Sequence, residues 1–199
     1  MSTCDETLLC ADHGLNLVLE KAEKESEQLF EIISKFDTLA STTHRSSIFL
    51  QDLKMACEKK SVNFIRIVTS APTRWNSRAM MLNSILRLRP ALEYLRMSDK
   101  SKFSNLIPAS EDFDTIEEIS SLLDSFRTVS EVLSGDKTST IQNTIVNLFN
   151  LRAKCHNLSR LTSNQDIRAY AESLIKHLQH YFPDCGTSST LYNSGSQPF

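Results

Sequence analysis

Apolar residues return every three or four positions along nearly the whole chain, and that period constrains it to amphipathic α-helices. Leu15, Val18, Leu19 and Ala22 lead into Leu29, Ile32, Ile33, Phe36 and Leu39. The spacing predicts one long helix, or two in series, over about 15–40. The polar run Ser41-Thr42-Thr43-His44 is expected to break it. Phe49, Leu53 and Ala56 predict a further helix ending near Lys60. With four glycines and five prolines in 199 residues, few breakers stand in the way of long helices.

Val62-Asn63-Phe64-Ile65-Arg66-Ile67-Val68 is β-branched and aromatic with partial alternation, so it predicts a strand. Pro72 disfavours helix at Ala71, and a new helix is expected to start between Arg74 and Ser77. Its stripe is Met81, Ile85, Leu88, Leu92 and Leu95, with a kink or restart expected at Pro90. Residues 98–110 read as a loop. Ser110 is placed to cap a helix whose first turn holds Glu111, Asp112 and Asp114, with Phe113, Ile116, Ile119, Leu123, Phe126, Val129 and Leu133 as its buried stripe and Gly135 as its stop. Ile141, Ile145, Leu148 and Leu151 predict the next helix. Ser163 with Asp166 forms a candidate capping box for the last one, which carries Ile167, Tyr170, Leu174, Leu178 and Tyr181. The expectation is a mainly α domain over residues 1–182 with at most one or two short strands. A Ser/Thr/Gly-rich tail over 183–199 is expected to be disordered.

Composition narrows the function classes. A hydrophobic fraction of 40% and a charged fraction of 23% are those of a soluble globular chain. There is no apolar run of membrane-spanning length, so no membrane partner is expected. Residues 1–10 lack a basic start and an apolar stretch of the secretory kind. Five scattered cysteines show no disulfide spacing, which points to a reducing compartment, nucleus or cytoplasm. The net charge of -2 hides a band from Lys59 to Lys102 with ten basic residues against Glu93 and Asp99, a local charge of +8. Such a band holds phosphate backbones, or else is a solvated face paired with the acidic segments around it. No glycine-rich phosphate loop, G-x-S-x-G or H-E-x-x-H is present, and no small-molecule substrate or cofactor is implied. Glu117, Glu118, Asp124 and Glu131 follow the polar side of their helix, as a solvated face does.

Two short constellations stand out. Cys10-Ala11-Asp12-His13 places a thiol and an imidazole one turn apart, half of a zinc site without a second half at useful spacing. Capping or packing is the competing role, and no metal site is predicted. Thr73-Arg74-Trp75-Asn76-Ser77 holds the single tryptophan, at a predicted helix start inside the basic band. Arg74 can hold a phosphate there and Trp75 can stack an unpaired base. Alternatively, Trp75 is a core anchor and Arg74 its salt-bridged neighbour.

The order of these blocks carries a resemblance. CADHGLNLVLEKA resembles the C-x-x-H-x-LNL segment of hAT-superfamily transposases and their domesticated BED-zinc-finger relatives. About sixty residues on, PTRWNSRAMMLNSILRLRPAL is similar to that family's TRW-N-S block. DFDTIEEISSLLDSFRTVSEVLSGDKTSTI is similar to the next segment; Val129-Ser130-Glu131 departs from the usual threonine, while Leu133-Ser134-Gly135 is kept. The blocks cover about Cys10 to Tyr181. The resemblance implies part of an RNase H-like fold, namely the region after the second catalytic aspartate running into a helical insertion. It implies that the catalytic aspartates, the catalytic glutamate and the BED finger lie outside this sequence. It carries over Cys10 and His13 as the C-x-x-H pair, and Arg74 and Trp75 as neighbours of a cleaved DNA end. It assigns no catalytic residue.

The reading that follows is a transposon-derived, catalytically inactive domain. It binds DNA through a candidate set of Arg74, Trp75, Asn76, Arg78, Arg87 and Arg89, in the nucleus. The alternatives are a protein-interaction module and a remnant of a decayed element. If a parent sheet is missing, Leu8, Leu9, Leu15 and Leu17 are expected to be under-covered, with protein partners over the exposed apolar surface.

Overall fold

The computed structural model describes the backbone of residues 3–70, 75–98, 102–135 and 141–183, and the side chains of 12–70, 75–98, 102–133 and 144–183. The helices are α1 (Thr3–Lys24), α2 (Glu27–Arg45), α3 (Ser47–Lys59), α4 (Trp75–Leu86), α5 (Arg89–Met97), α6 (Ser110–Gly135), α7 (Ile141–Leu161) and α8 (Gln165–Tyr181), with a 3-10 turn at Ser104–Leu106. The chain is mainly α, as the apolar period predicts. The expected tail from 184 onward lies outside the described residues.

The 15–40 periodicity resolves into two helices broken at Glu25 and Ser26. The polar run 41–44 does not break α2. The Thr38, Thr42 and Thr43 hydroxyls each donate to the carbonyl four residues back, at 2.9 Å, so these polar side chains are satisfied inside the helix. The helix stops at Arg45 instead, because Ser46 takes an extended conformation and its side chain caps α3 through the Phe49 N–H. The strand expected at Val62–Val68 does not form, and no strand is present among the described residues. That segment has no neighbouring strand to pair with. It runs past α4 instead, where the Val68 N–H donates to Ser84 Oγ at 3.1 Å, and the Ile67 carbonyl bonds the His44 ring at 2.7 Å. Its apolar residues are still used: Ile67 is buried, and Val62, Phe64 and Ile65 pack against the core.

Pro90 sits in the first turn of α5, where its missing N–H has no intrahelical partner to lose. The sequence signal therefore marks a restart. Ser110 is the first residue of α6 rather than its cap. Asp112 reaches back to accept from the Ala109 N–H at 3.0 Å, while Ser110 Oγ donates to Glu93. The cap of α8 is Asn164, not Ser163; its side chain accepts from the Asp166 and Ile167 N–H groups at 2.9 and 3.4 Å.

The helices share one core. α1 lies against α6 and α8, α7 packs on α8, α4 on α6, and α3 on α5, with α2 touching α1, α3, α4 and α8. Phe36 and Phe113 meet edge to face at 5.1 Å where α2 approaches α6. Leu15, expected to be under-covered, is 1% exposed because α6 and α8 cover α1; Leu17 is partly buried, and the side chains of Leu8 and Leu9 lie outside the described residues. Gly14, inside α1, has a specific reason to lack a side chain: a Cβ there would stand 2.8 Å from Phe182 Cζ, just past α8. Exposed apolar surface lies elsewhere, on Ile145, Val146 and Phe149 of α7.

Candidate functional site

The sequence blocks that carry the resemblance meet in space. Ser130 Oγ on α6 donates to the Asp12 carboxylate on α1, and Asn76 Nδ2 on α4 donates to Ser130 Oγ at 3.3 Å. Asn16 Nδ2, one turn after Asp12, donates to the Asp12 carbonyl at 3.1 Å. Asp12 of the CADH block is thus a structural tie, and Asn76 of the TRWN block faces the helix junction. His13 is exposed beside it. The Cys10 side chain and Arg74 lie outside the described residues.

Two residues along α4, Arg78 is held between helices. Its guanidinium donates to Glu23 on α1 and lies 3.7 Å from Asp37 on α2, which also accepts from Ser70. Glu23 is only 7% exposed. Burial pushes its carboxyl pKa above the ordinary range, against the pull of Arg78. The Arg78 guanidinium also sits 5.4 Å over the ring of Trp75, which is partly buried and packs against the core. The charge of Arg78 is therefore spent inside the fold.

Arg89 is spent in the same way. It reaches Glu93 at 2.8 Å, Asp114 at 2.6 Å and Glu117 at 2.7 Å, and lies 5.5 Å over the Phe113 ring. Hydrogen bonding to Glu93, then to Asp114, raises the guanidinium pKa above its usual value despite partial burial. This network fastens the start of α5 to the start of α6.

Arg87 is different. It is exposed at the α4–α5 elbow and has no carboxylate partner among the described residues. Lys59, Lys60 and Arg66 are exposed and likewise unpaired with carboxylates among the described residues. Lys59 Nζ donates to the Tyr94 hydroxyl at 3.1 Å, and the Lys59 and Lys60 ammonium groups lie 5.4 and 5.2 Å from the Tyr94 ring centre. The end of α3 thus joins α5 in a basic, aromatic corner. Motif reading passed over these residues; the one sequence signal for them is the charge excess that begins at Lys59.

A family model, the ZBED1 RNase-like helical domain, matches residues 8–122, more than half of the chain. The chain belongs to that family. Among curated proteins it is similar to a Zea mays protein described as an AC transposase, at 30% identity over 132 residues, or 66% of this chain. The match supports the hAT transposase-like assignment. The chain spans 16% of that relative's length. No solved structure matches. Asp12, Asn76, Arg78 and Arg89 all lie within the matched helical domain, and Ser130 lies just beyond it.

Proposed function

We propose that this hAT-derived helical domain binds DNA in the nucleus by phosphate contacts at its basic corner, and cuts no strand itself. The observation that carries the reading is the division of the basic band. Arg78 and Arg89 are neutralised within the fold, while Lys59, Lys60, Arg66 and Arg87 are exposed without carboxylate partners among the described residues. Unpaired cations on a rigid helical scaffold attract a polyanion. In this reading Arg87 contacts DNA, and Trp75, Asn76, Arg78 and Arg89 hold the surface in shape. The non-catalytic half is supported by the use made of the acids: Asp114 and Glu117 hold Arg89, and Asp124 and Glu131 hold Arg127 at 2.9 and 2.7 Å.

The test is binding of a labelled DNA duplex over a salt series. Affinity should fall steeply with salt, and Arg87→Gln and Lys60→Gln should each weaken binding and reduce the logarithmic salt slope by about 1. Salt-insensitive binding, or none, overturns the DNA reading. Metal-dependent nicking that a single Asp or Glu substitution abolishes overturns the non-catalytic half.

A second reading, docking to another protein, is favoured by Ile145, Val146 and Phe149, which stand about half exposed within one turn or so of α7. Its first test is self-association: sedimentation should depend on concentration and lose that dependence in Phe149→Gln.

A further inference from the structure

A groove of about 230 Å³ opens between α3 and α5, with Met55, Ala56 and Leu95 as its apolar surface and Lys59, Tyr94, Asp52 and Ser98 at its sides. Met55 is 48% exposed, so its side chain is open to a ligand in the groove. Lys59 already donates to the Tyr94 oxygen, so the hydroxyl proton is left to turn toward another acceptor, and none is present among the described residues. Lys60 stands close by over the same ring. Lys59 and the Tyr94 hydroxyl in the groove wall, with Lys60 beside them over the Tyr94 ring, thus outweigh the single carboxylate of Asp52 around an apolar slot, a combination that fits a group anionic at one end and flat and apolar at the other.

We propose that this groove is a subsite for one unpaired nucleotide of a DNA strand, with its phosphate on Lys59, Lys60 and Tyr94 and its base against Met55 and Leu95. The proposal rests on the DNA-binding reading and adds to it a place that reads whether a base is free. Charge complementarity selects a nucleic acid over an ordinary apolar peptide, because the ammonium groups of Lys59 in the groove wall and of Lys60 beside Tyr94 outnumber the one carboxylate, Asp52. A base laid on the apolar surface also gains contact that the sugar–phosphate chain alone cannot make.

The experiment compares three fluorescein-labelled probes at one low salt concentration: a short oligothymidylate, an abasic strand of the same length and a duplex. The intact chain should bind the oligothymidylate roughly tenfold more tightly than the abasic strand. Met55→Glu, which puts a carboxylate into the groove at an exposed position, should erase that preference while leaving Arg87-dependent duplex binding in place. Lys60→Gln should weaken all three probes. Equal binding of the base-bearing and abasic strands overturns the subsite, as does a preference that survives Met55→Glu. In both cases duplex binding that still depends on Arg87 leaves the broader reading standing. Failure of all probes to bind removes both. Free thymidine monophosphate competing as well as the oligonucleotide overturns the assignment to a DNA strand, and so does equal competition by an acidic aromatic peptide.

Discussion

Ser130 gives its hydroxyl proton to Asp12, joining α6 to α1 across 118 residues of sequence. Asn76 of α4 reaches the same oxygen, so one small side chain holds three helices in register. Ser130 is itself 6% exposed, and Asp12 and Asn76 are partly buried, which limits the water that could replace these bonds.

Ser130→Ala should therefore cost about 1–3 kcal/mol in chemical denaturation, the range for leaving buried polar partners unpaired. Asn76→Ala should cost less, and the double variant less than the two losses added together, because both remove one shared contact. Strict additivity would show that the junction does not act as a unit.

Arg78→Ala should be the most damaging substitution in the basic band, at about 3–5 kcal/mol, since it leaves Glu23 buried without its cation. The pH dependence has a definite sign. A carboxyl whose folded pKa is raised binds more protons folded than unfolded, so stability rises as pH falls through the folded value. Urea melts of Arg78→Ala at pH 7 and pH 5 should show the loss partly recovered at the lower pH, and Glu23→Gln in the same background should remove that recovery.

Glu25 works in the opposite direction. It accepts from Ser173 Oγ at 2.6 Å, Lys176 Nζ at 2.9 Å and the His177 ring at 3.1 Å, and these bonds, Ser173 first, bring its pKa down from 4.5 to about 2. Its stabilisation is present above pH 4.5 and is lost as pH falls from there toward 2. Glu25 is 42% exposed, so screening by water holds the effect at pH 7 to about 1 kcal/mol or less. Glu25→Gln should be less stable than the parent at pH 7 by that amount, with the two stabilities converging near pH 2.

Gly14→Ala should show a sign that depends on Phe182. A helix interior gains about 1 kcal/mol from alanine in place of glycine. Here the new methyl meets the Phe182 ring tip at 2.8 Å and displaces it. Thermal melts should show the substitution neutral or destabilising in the parent, and stabilising once Phe182 is also changed to Ala.

Much of the fold was legible because helices announce themselves by local period. The stripe from Phe113 to Leu133 is buried as its spacing predicts. Errors came where a local signal depends on a distant or hidden partner. Thr42 and Thr43 look like breakers until their hydroxyls are seen to bond within α2. Val62–Val68 has strand chemistry without a second strand among the described residues, and Ser84 and His44 take its backbone groups instead. The basic band was visible as a count, but the count could not separate Arg89, with three carboxylates from two helices, from Arg87 two positions earlier, with none among the described residues. That distinction depends on which way each side chain points at the α4–α5 elbow.

The contact of Gly14 with Phe182 bears on how such a module can be carried by a larger protein. It brings the middle of the first helix against the residue that follows the last one. A polypeptide that comes in along α1 thus passes the point at which it leaves after α8. A host domain could hold the whole helical bundle between two of its own adjacent segments, with neither pulled away from its neighbours.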